Sequence, residues 1–196
     1  RQLPSLSSYE LLPVLDDQLG PHVTRLLRLA GRIGGTRPCT GNQIDLLSDT
    51  NRTIELMEEA ILGARESIHL EYYVWQPDRT EGVIVRFLYD GFGSLALSSR
   101  FLQPMRDAGI TAVPFVPGRT LSERWSFNLR SHRKITVVDG RIGFTGGMNI
   151  GDEYLGLSPS WGYWRDSHLR LVGPTVLQLQ QVFAIDWYFA TGEALT

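Results

Sequence analysis

The sequence predicts an α/β domain, a mixed β-sheet flanked by helices, and three observations point to it. Short β-branched and apolar runs alternate with longer segments of helical periodicity. One run, Val83 to Tyr89, is nearly continuously apolar, as a strand covered on both faces should be. The chain has 196 residues with 42% apolar content, enough for one such domain with its own core.

The elements follow in order. Residues 1–20, with Pro4, Pro13 and several Ser and Asp, read as an extended lead-in with one short helix at most. From Pro21 to Ile33 an apolar stripe of Val23, Leu26, Leu27, Ala30 and Ile33 runs beside Arg25, Arg28 and Arg32. That pattern fits either a helix packed on its own domain or one lying on an anionic membrane surface. Gly31, Gly34, Gly35 and Pro38 end it, so residues 1–40 form a lead-in with a basic amphipathic helix and residues 41–196 form the main domain. Ile44 to Leu47 reads as the first strand. Asp49 or Thr50 caps a helix with Ile54, Met57, Ile61 and Ala64 on its buried stripe. The next strand is Ser67 to Trp75, with Ile68, Leu70, Tyr72 and Val74 on one face.

Only Gln76 to Gly82 separates this strand from Val83 to Tyr89. Parallel neighbours need a crossover of about a dozen residues or more, so seven suit a hairpin or leave an element missing. Ser98 or Ser99 then begins a helix through Ala108, bent by Pro104 and stopped by Gly109. Ile110 to Val116 is a strand that tolerates Pro114 at a sheet edge or irregularity. Pro117 to Phe127 is a basic loop, and Gly151 to Pro159 a turn-rich loop or short helix. Trp161, Tyr163 and Trp164 cluster before a strand from Arg165 to Leu171. Pro174 opens a closing helix that Gly192 terminates.

Charge and cysteine usage exclude several classes. A net charge of −2 gives no global attraction to nucleic acid. The positive charge is local: Arg119, Arg124, Arg130, Arg133, Lys134 and Arg141 stand against Glu123 and Asp139, which would draw a phosphorylated substrate. Cys39 is alone, so no disulfide framework or cysteine-rich metal site is expected. No run reaches the roughly 18 to 20 apolar residues that span a bilayer, and no signal peptide is visible.

The chemistry concentrates at one motif. Lys134 is the only lysine among 19 basic Lys and Arg residues, and it follows His132 by two positions. Ile135 to Val138 is a β-branched run, Asp139-Gly140 is the signature of a type I′ turn, and Ile142 to Thr145 returns. A two-residue turn pairs Val138 with Arg141, hence Lys134 with Thr145 and His132 with Gly147. His132, Lys134, Thr145, Gly147 and Asn149 then share one face. Gly146 and Gly147 clear bulk so that backbone N–H groups can approach an anion. An imidazole, an ammonium and a carboxamide suit phosphodiester substitution without a metal or other cofactor. The imidazole attacks phosphorus while Lys134 and Asn149 hold the equatorial oxygens. A general acid must stand opposite for in-line displacement, and the chain holds no second copy of the motif. Asp139 falls in the turn, away from the convergent face, and reads as structural. Ser131 points to the opposite face and is not expected to act as a nucleophile. His168 shares the face of Asp166 by alternation, which makes it a candidate proton donor. A lone His-x-Lys is commonly just an exposed pair, and Asp-Gly just a turn. Their conjunction with Gly-Gly-x-Asn points to a site.

This pattern, His-x-Lys-x4-Asp-x6-Gly-Gly-x-Asn, resembles the HKD motif of the phospholipase D superfamily. The phrases Ser67 to Trp75, Asn128 to Lys134, Gly146 to Tyr154 and Trp164 to Arg170 resemble the first catalytic half of its bacterial cardiolipin synthase branch, from about Gly41 onward. The resemblance implies that His132 is one of a histidine pair, that Lys134 and Asn149 bind phosphate, with Gly146, Gly147, Arg130 and Arg133 around it, and that Asp166 orients His132. It also implies a helix between the strands at Trp75 and Val83, which this sequence lacks. Omission or deletion of that helix would uncover part of one sheet face and lower stability. The implied activity converts two phosphatidylglycerols to cardiolipin and glycerol at a bacterial cell membrane. The catalytic part would be peripheral to the bilayer and the transmembrane anchor absent from the chain. The implied partner is a second HKD half or a homodimer mate. Two other readings are open: a nuclease or phosphodiesterase built from two single-motif chains, and a non-catalytic half-domain that binds anionic membranes.

Overall fold

The computed structural model describes residues 15–34, 38–72, 83–91, 93–94, 98–115, 131–151, 154–155 and 163–195. Helix α1 spans Leu15–Gly34 and breaks at Gly20, whose φ of 72° leaves the helical region just before Pro21. Pro21 thus opens a second helical segment, where its missing N–H costs nothing. The apolar stripe of that segment is exposed, with Leu26 at 65% and Ile33 at 79% relative accessibility. Val23, Ala30 and Arg32 are exposed as well, while Leu27 is half-buried and Thr24 buried.

The rest forms one seven-stranded mixed sheet. In chain order the elements are β1 (Gln43–Leu47), α2 (Thr50–Leu62), β2 (Ser67–Glu71), β3 (Ile84–Asp90), α3 (Ser99–Asp107), β4 (Thr111–Phe115), β5 (Ile135–Val138), β6 (Ile142–Gly146), β7 (His168–Val172) and α4 (Thr175–Thr191). The strand order is β1-β7-β6-β5-β2-β3-β4. β2, β3 and β4 run parallel, and the remaining neighbours pair antiparallel. Asp49 caps α2 by accepting the Arg52 N–H, and Ser98 caps α3 by accepting that of Phe101. α2 buries Thr53, Met57 and Ile61, so its inward stripe is turned from the expected Ile54 towards Thr53.

Alternation along the strands splits the core in two. On one face Ile68, Leu70, Tyr72, Phe87, Val138 and Phe144 pack with Met57 and Ile61 of α2 and Leu102 and Met105 of α3. On the other, Leu88, Ile135, Val137 and Leu171 pack with Val176, Phe183 and Trp187 of α4. Pro114 lies on β4, an outer strand of the sheet, as expected of a residue that cannot donate to a ladder.

Two expectations need correction. The hairpin reading of the connection after β2 fails, because β2 and β3 pair in parallel, Ser67 opposite Ile84 through Glu71 opposite Leu88. β2 ends at Glu71, earlier than expected, which leaves residues 72–83 to make the crossover. That length meets the geometric minimum for a parallel return. The expected missing helix concerns residues 76–82, which lie outside the described residues.

The second correction is the register of the β5–β6 hairpin. Asp139 and Gly140 take φ of 52° and 63°, as a type I′ turn requires, and Arg141 N–H closes it on the Val138 carbonyl at 2.9 Å. Yet Val138 pairs with Ile142, so Arg141 is an extra residue and Thr145 lies opposite Ile135 rather than Lys134. The cause is β2: the Asp139 N–H donates to the Ser67 carbonyl at 2.8 Å, so β5 follows β2 one residue further than it follows β6.

Candidate active site

The register fixes which side chains meet. Thr136 is opposite Phe144, and Gly146 is opposite His168. By alternation Lys134 therefore shares its face with Thr136, Gly146 and His168, while Arg133 faces α4. The Tyr72 hydroxyl links this face, 3.2 Å from Thr136 Oγ1 and 3.3 Å from His168 Nε2. The Tyr72 hydroxyl is held above its usual range by burial, against the Thr136 bond.

His132 is exposed and precedes the β5 ladder. Lys134 Nζ donates to the His132 carbonyl at 2.6 Å, which ties the ammonium to the main chain carrying the imidazole. Burial holds Lys134 below the usual lysine range, against the pull of Asp166, Asp90 and Glu71. The same surroundings act on His168: burial, helped by the Lys134 charge and opposed by Asp166, brings it down to about 4. His168 is thus a neutral, 1% exposed ring at physiological pH, and its Nδ1 has no hydrogen-bond partner.

The glycine pair is required by contact. A Cβ on Gly146 would meet the Ser167 carbonyl at 2.5 Å and His168 Nδ1 at 2.7 Å. One on Gly147 would overlap the Asp166 carboxylate, 2.6 Å from its Oδ2. The strand bearing Gly146 and Gly147 therefore lies directly against the Asp166–His168 segment. Asp166 accepts the Ser167 N–H at 2.7 Å. No hydrogen bond reaches the His132 imidazole from Asp166 or any other described residue.

Other predicted residues are placed less centrally. Asn149 Nδ2 donates to the Tyr154 hydroxyl at 3.3 Å, and its Oδ1 is buried without a partner. Tyr154 stacks on Trp164 at 5.9 Å, while Tyr163 bonds Thr50. Arg133 pairs with Asp186 of α4 at 2.6 Å, on the side of the sheet away from Lys134. Arg119, Arg124 and Arg130 lie outside the described residues, as does Trp161. Asp139 lies in the hairpin turn, and its carboxylate accepts the N–H groups of Arg65, Glu66 and Ser67 at 2.7 to 2.9 Å. Burial opposes its charge, but those bonds and Arg141 outweigh it and hold the carboxyl below its ordinary value.

The sequence reading missed Glu71, Asp90 and Asp186. They sit near the ends of β2 and β3 and on an apolar helix, and a buried carboxyl in an otherwise apolar element was the available signal. No cluster of His, Cys, Asp or Glu able to hold a metal occurs among the described residues, and no described helix is long and apolar enough to cross a membrane.

No family model matches the chain. It is 42% identical over 190 residues to a cardiolipin synthase of Geobacillus sp. (strain WCH70), covering 90% of this chain and 38% of that protein. To cardiolipin synthase 2 of Bacillus anthracis it is 40% identical over 187 residues, covering 89% and 36%. Among solved structures, NucT from Helicobacter pylori superposes with a TM-score of 0.58 at 14% identity, over 76% of this chain and 98% of that one. Nuc from Salmonella typhimurium, a phospholipase D family member, gives 0.51 at 14% identity, over 76% and 96%. Phosphatidylserine synthase from Haemophilus influenzae gives 0.52 at 18% identity, over 74% and 36%. These superpositions show the fold. In sequence the chain is similar to cardiolipin synthases, and it spans 38% of the length of its Geobacillus relative.

Proposed function

We propose that this chain supplies one half of the active centre of a phosphatidyl transferase that makes cardiolipin from two phosphatidylglycerols. The observation that carries the reading is the Lys134 ammonium bound to the His132 carbonyl beside Asp166. It ties a positive charge to the main chain that carries the exposed His132. In the first step the His132 imidazole attacks phosphorus, and the bond to the glycerol oxygen breaks. The departing alkoxide takes a proton from a general acid on a second HKD half, supplied by another copy or another segment. A hydroxyl of the second phosphatidylglycerol gives its proton to that base and attacks the phosphohistidine, forming cardiolipin and freeing His132. Lys134 and Asn149 hold the phosphoryl oxygens as charge redistributes, with the Gly146–Gly147 backbone admitting them closely. Asp166 orients the ring through its other nitrogen when substrate closes the site. Arg130, two residues before His132 in sequence, would add positive charge, and Arg133 would do so only by leaving Asp186. The exposed stripe of α1, with Arg25, Arg28 and Arg32, fits a peripheral position on an anionic bacterial membrane. The lipid assignment draws on the identity to cardiolipin synthases.

The test is incubation with phosphatidylglycerol vesicles and detection of cardiolipin by mass spectrometry, with a DNA-cleavage assay alongside. His132→Ala should abolish transfer. Lys134→Ala should lower it by about two orders of magnitude or more, the loss expected on removing a transition-state charge partner. DNA cleavage without cardiolipin formation would replace this reading with the nuclease one.

A further inference from the structure

His132 stands on a stretch, residues 131–134, that precedes the β5 ladder, so something other than strand pairing must hold it. Both of its neighbours are anchored. The Ser131 N–H donates to Asp90 Oδ2 at 3.0 Å, and the Ser131 hydroxyl bonds Glu71 Oε1. On the far side Arg133 is tied to Asp186. The chemical steps above use none of these carboxyls. Glu71 is 2% exposed, and its second oxygen, Oε2, has no hydrogen-bond partner among the described residues. A structural hydrogen bond to Ser131 needs no ionisable group, so a buried carboxyl with a spare oxygen is an expensive way to make one.

We propose that Glu71 is a positioning residue which, through the Ser131 hydroxyl, fixes the main chain presenting His132 and transmits its own ionisation to that imidazole. The inference rests on the proposed role of His132. Among the described residues, the charged and titratable groups around Glu71 are Asp186 of α4, Arg133 and Lys134 of the segment before β5, Asp90 of β3, which bonds the same Ser131, and His69 two residues earlier on the same face of β2. Burial pushes Glu71 up to about 7; the Ser131 bond, Arg133 and Lys134 oppose the shift and Asp186 adds to it. The carboxyl therefore changes charge close to neutral pH. Ionised, it accepts the Ser131 O–H; neutral, it can donate its proton to the same oxygen, so the bond persists while the charge beneath His132 changes. A negative charge there favours the imidazolium-like phosphohistidine.

With four histidines in the chain, each imidazole can be followed by NMR, and His132→Ala assigns the signal of interest. In the full chain the His132 signals should show a second inflection near pH 7 that Glu71→Gln removes. Ser131→Ala should weaken that inflection, and the double variant should match Glu71→Gln alone, since the two act as one unit. In the vesicle assay Glu71→Ala should lower kcat about tenfold or more with KM within about twofold, and the near-isosteric Glu71→Gln should recover most of it below pH 6. A His132 titration identical in wild type and Glu71→Gln, or additive effects of Ser131→Ala and Glu71→Gln, would overturn the proposal. The NMR measurement needs no turnover, so it can fail while the transferase reading stands, and the reverse.

Discussion

Gly147 and Asp166 form the tightest junction in the site, because the glycine leaves no room for a side chain beside the carboxylate. Gly147→Ala should therefore push Asp166 aside and lower kcat at least tenfold, with a circular dichroism spectrum like that of wild type. Asp166→Asn should also cost rate with little change in fold; unchanged kinetics would remove it as the orienting group. Asp139 predicts the opposite behaviour. It clamps three N–H groups at the start of β2 and holds a positive φ. Asp139→Ala should cost about 1–2 kcal/mol, read as a lower urea midpoint, and Asp139→Asn less, since Asn tolerates that backbone and keeps an acceptor. That Asp139 stands in a turn was legible in the sequence, because Asp-Gly between two apolar runs defines one. The three amides it binds were not legible, because they belong to a segment more than seventy residues earlier.

At the scale of elements, the strands and caps followed from local chemistry: Asp49, Ser98 and Pro114 stand where capping and edge rules put them. The hairpin register did not, because the deciding bond, Asp139 N–H to Ser67, belongs to a third strand that local turn rules ignore. The one-residue shift moves Gly146 and His168 onto the face of Lys134 in place of Thr145. The parallel return from β2 to β3 was likewise hidden, since it depended on β2 ending at Glu71. For α1, the exposed apolar stripe predicts vesicle binding. Burying one leucine contributes about 1.5–3 kcal/mol, so Leu26→Glu or Ile33→Glu should weaken sedimentation with phosphatidylglycerol vesicles about tenfold or more. Unchanged sedimentation would remove the helix from the membrane contact.

Over the whole molecule, three buried ionisable groups set the response to acid. Burial, with Arg86 adding to it at His69, holds His69 and His168 at about 4 against an ordinary 6.5. Their contribution is present above pH 6.5 and is lost as pH falls towards 4. Glu71, raised to about 7 from 4.5, works the other way: its contribution is present below 4.5 and is lost as pH rises through 7. Between about 4.5 and 6.5 the two histidines outweigh the one carboxyl by about one proton. Stability should therefore fall on acidification by roughly 1 kcal/mol per pH unit. Urea titrations at pH 6.5 and 5 measure this slope, and Glu71→Gln should roughly double it; a flat profile in both would show that these groups are not buried. Such a balance was not legible in the sequence, because the burial of His69 depends on α4 stacking Phe183 on its ring. Pro114 carries the last consequence. A foreign strand laid along β4 finds no amide hydrogen at that position, so lateral growth of the sheet is discouraged at one border, while the border at β1 has no proline to stop it.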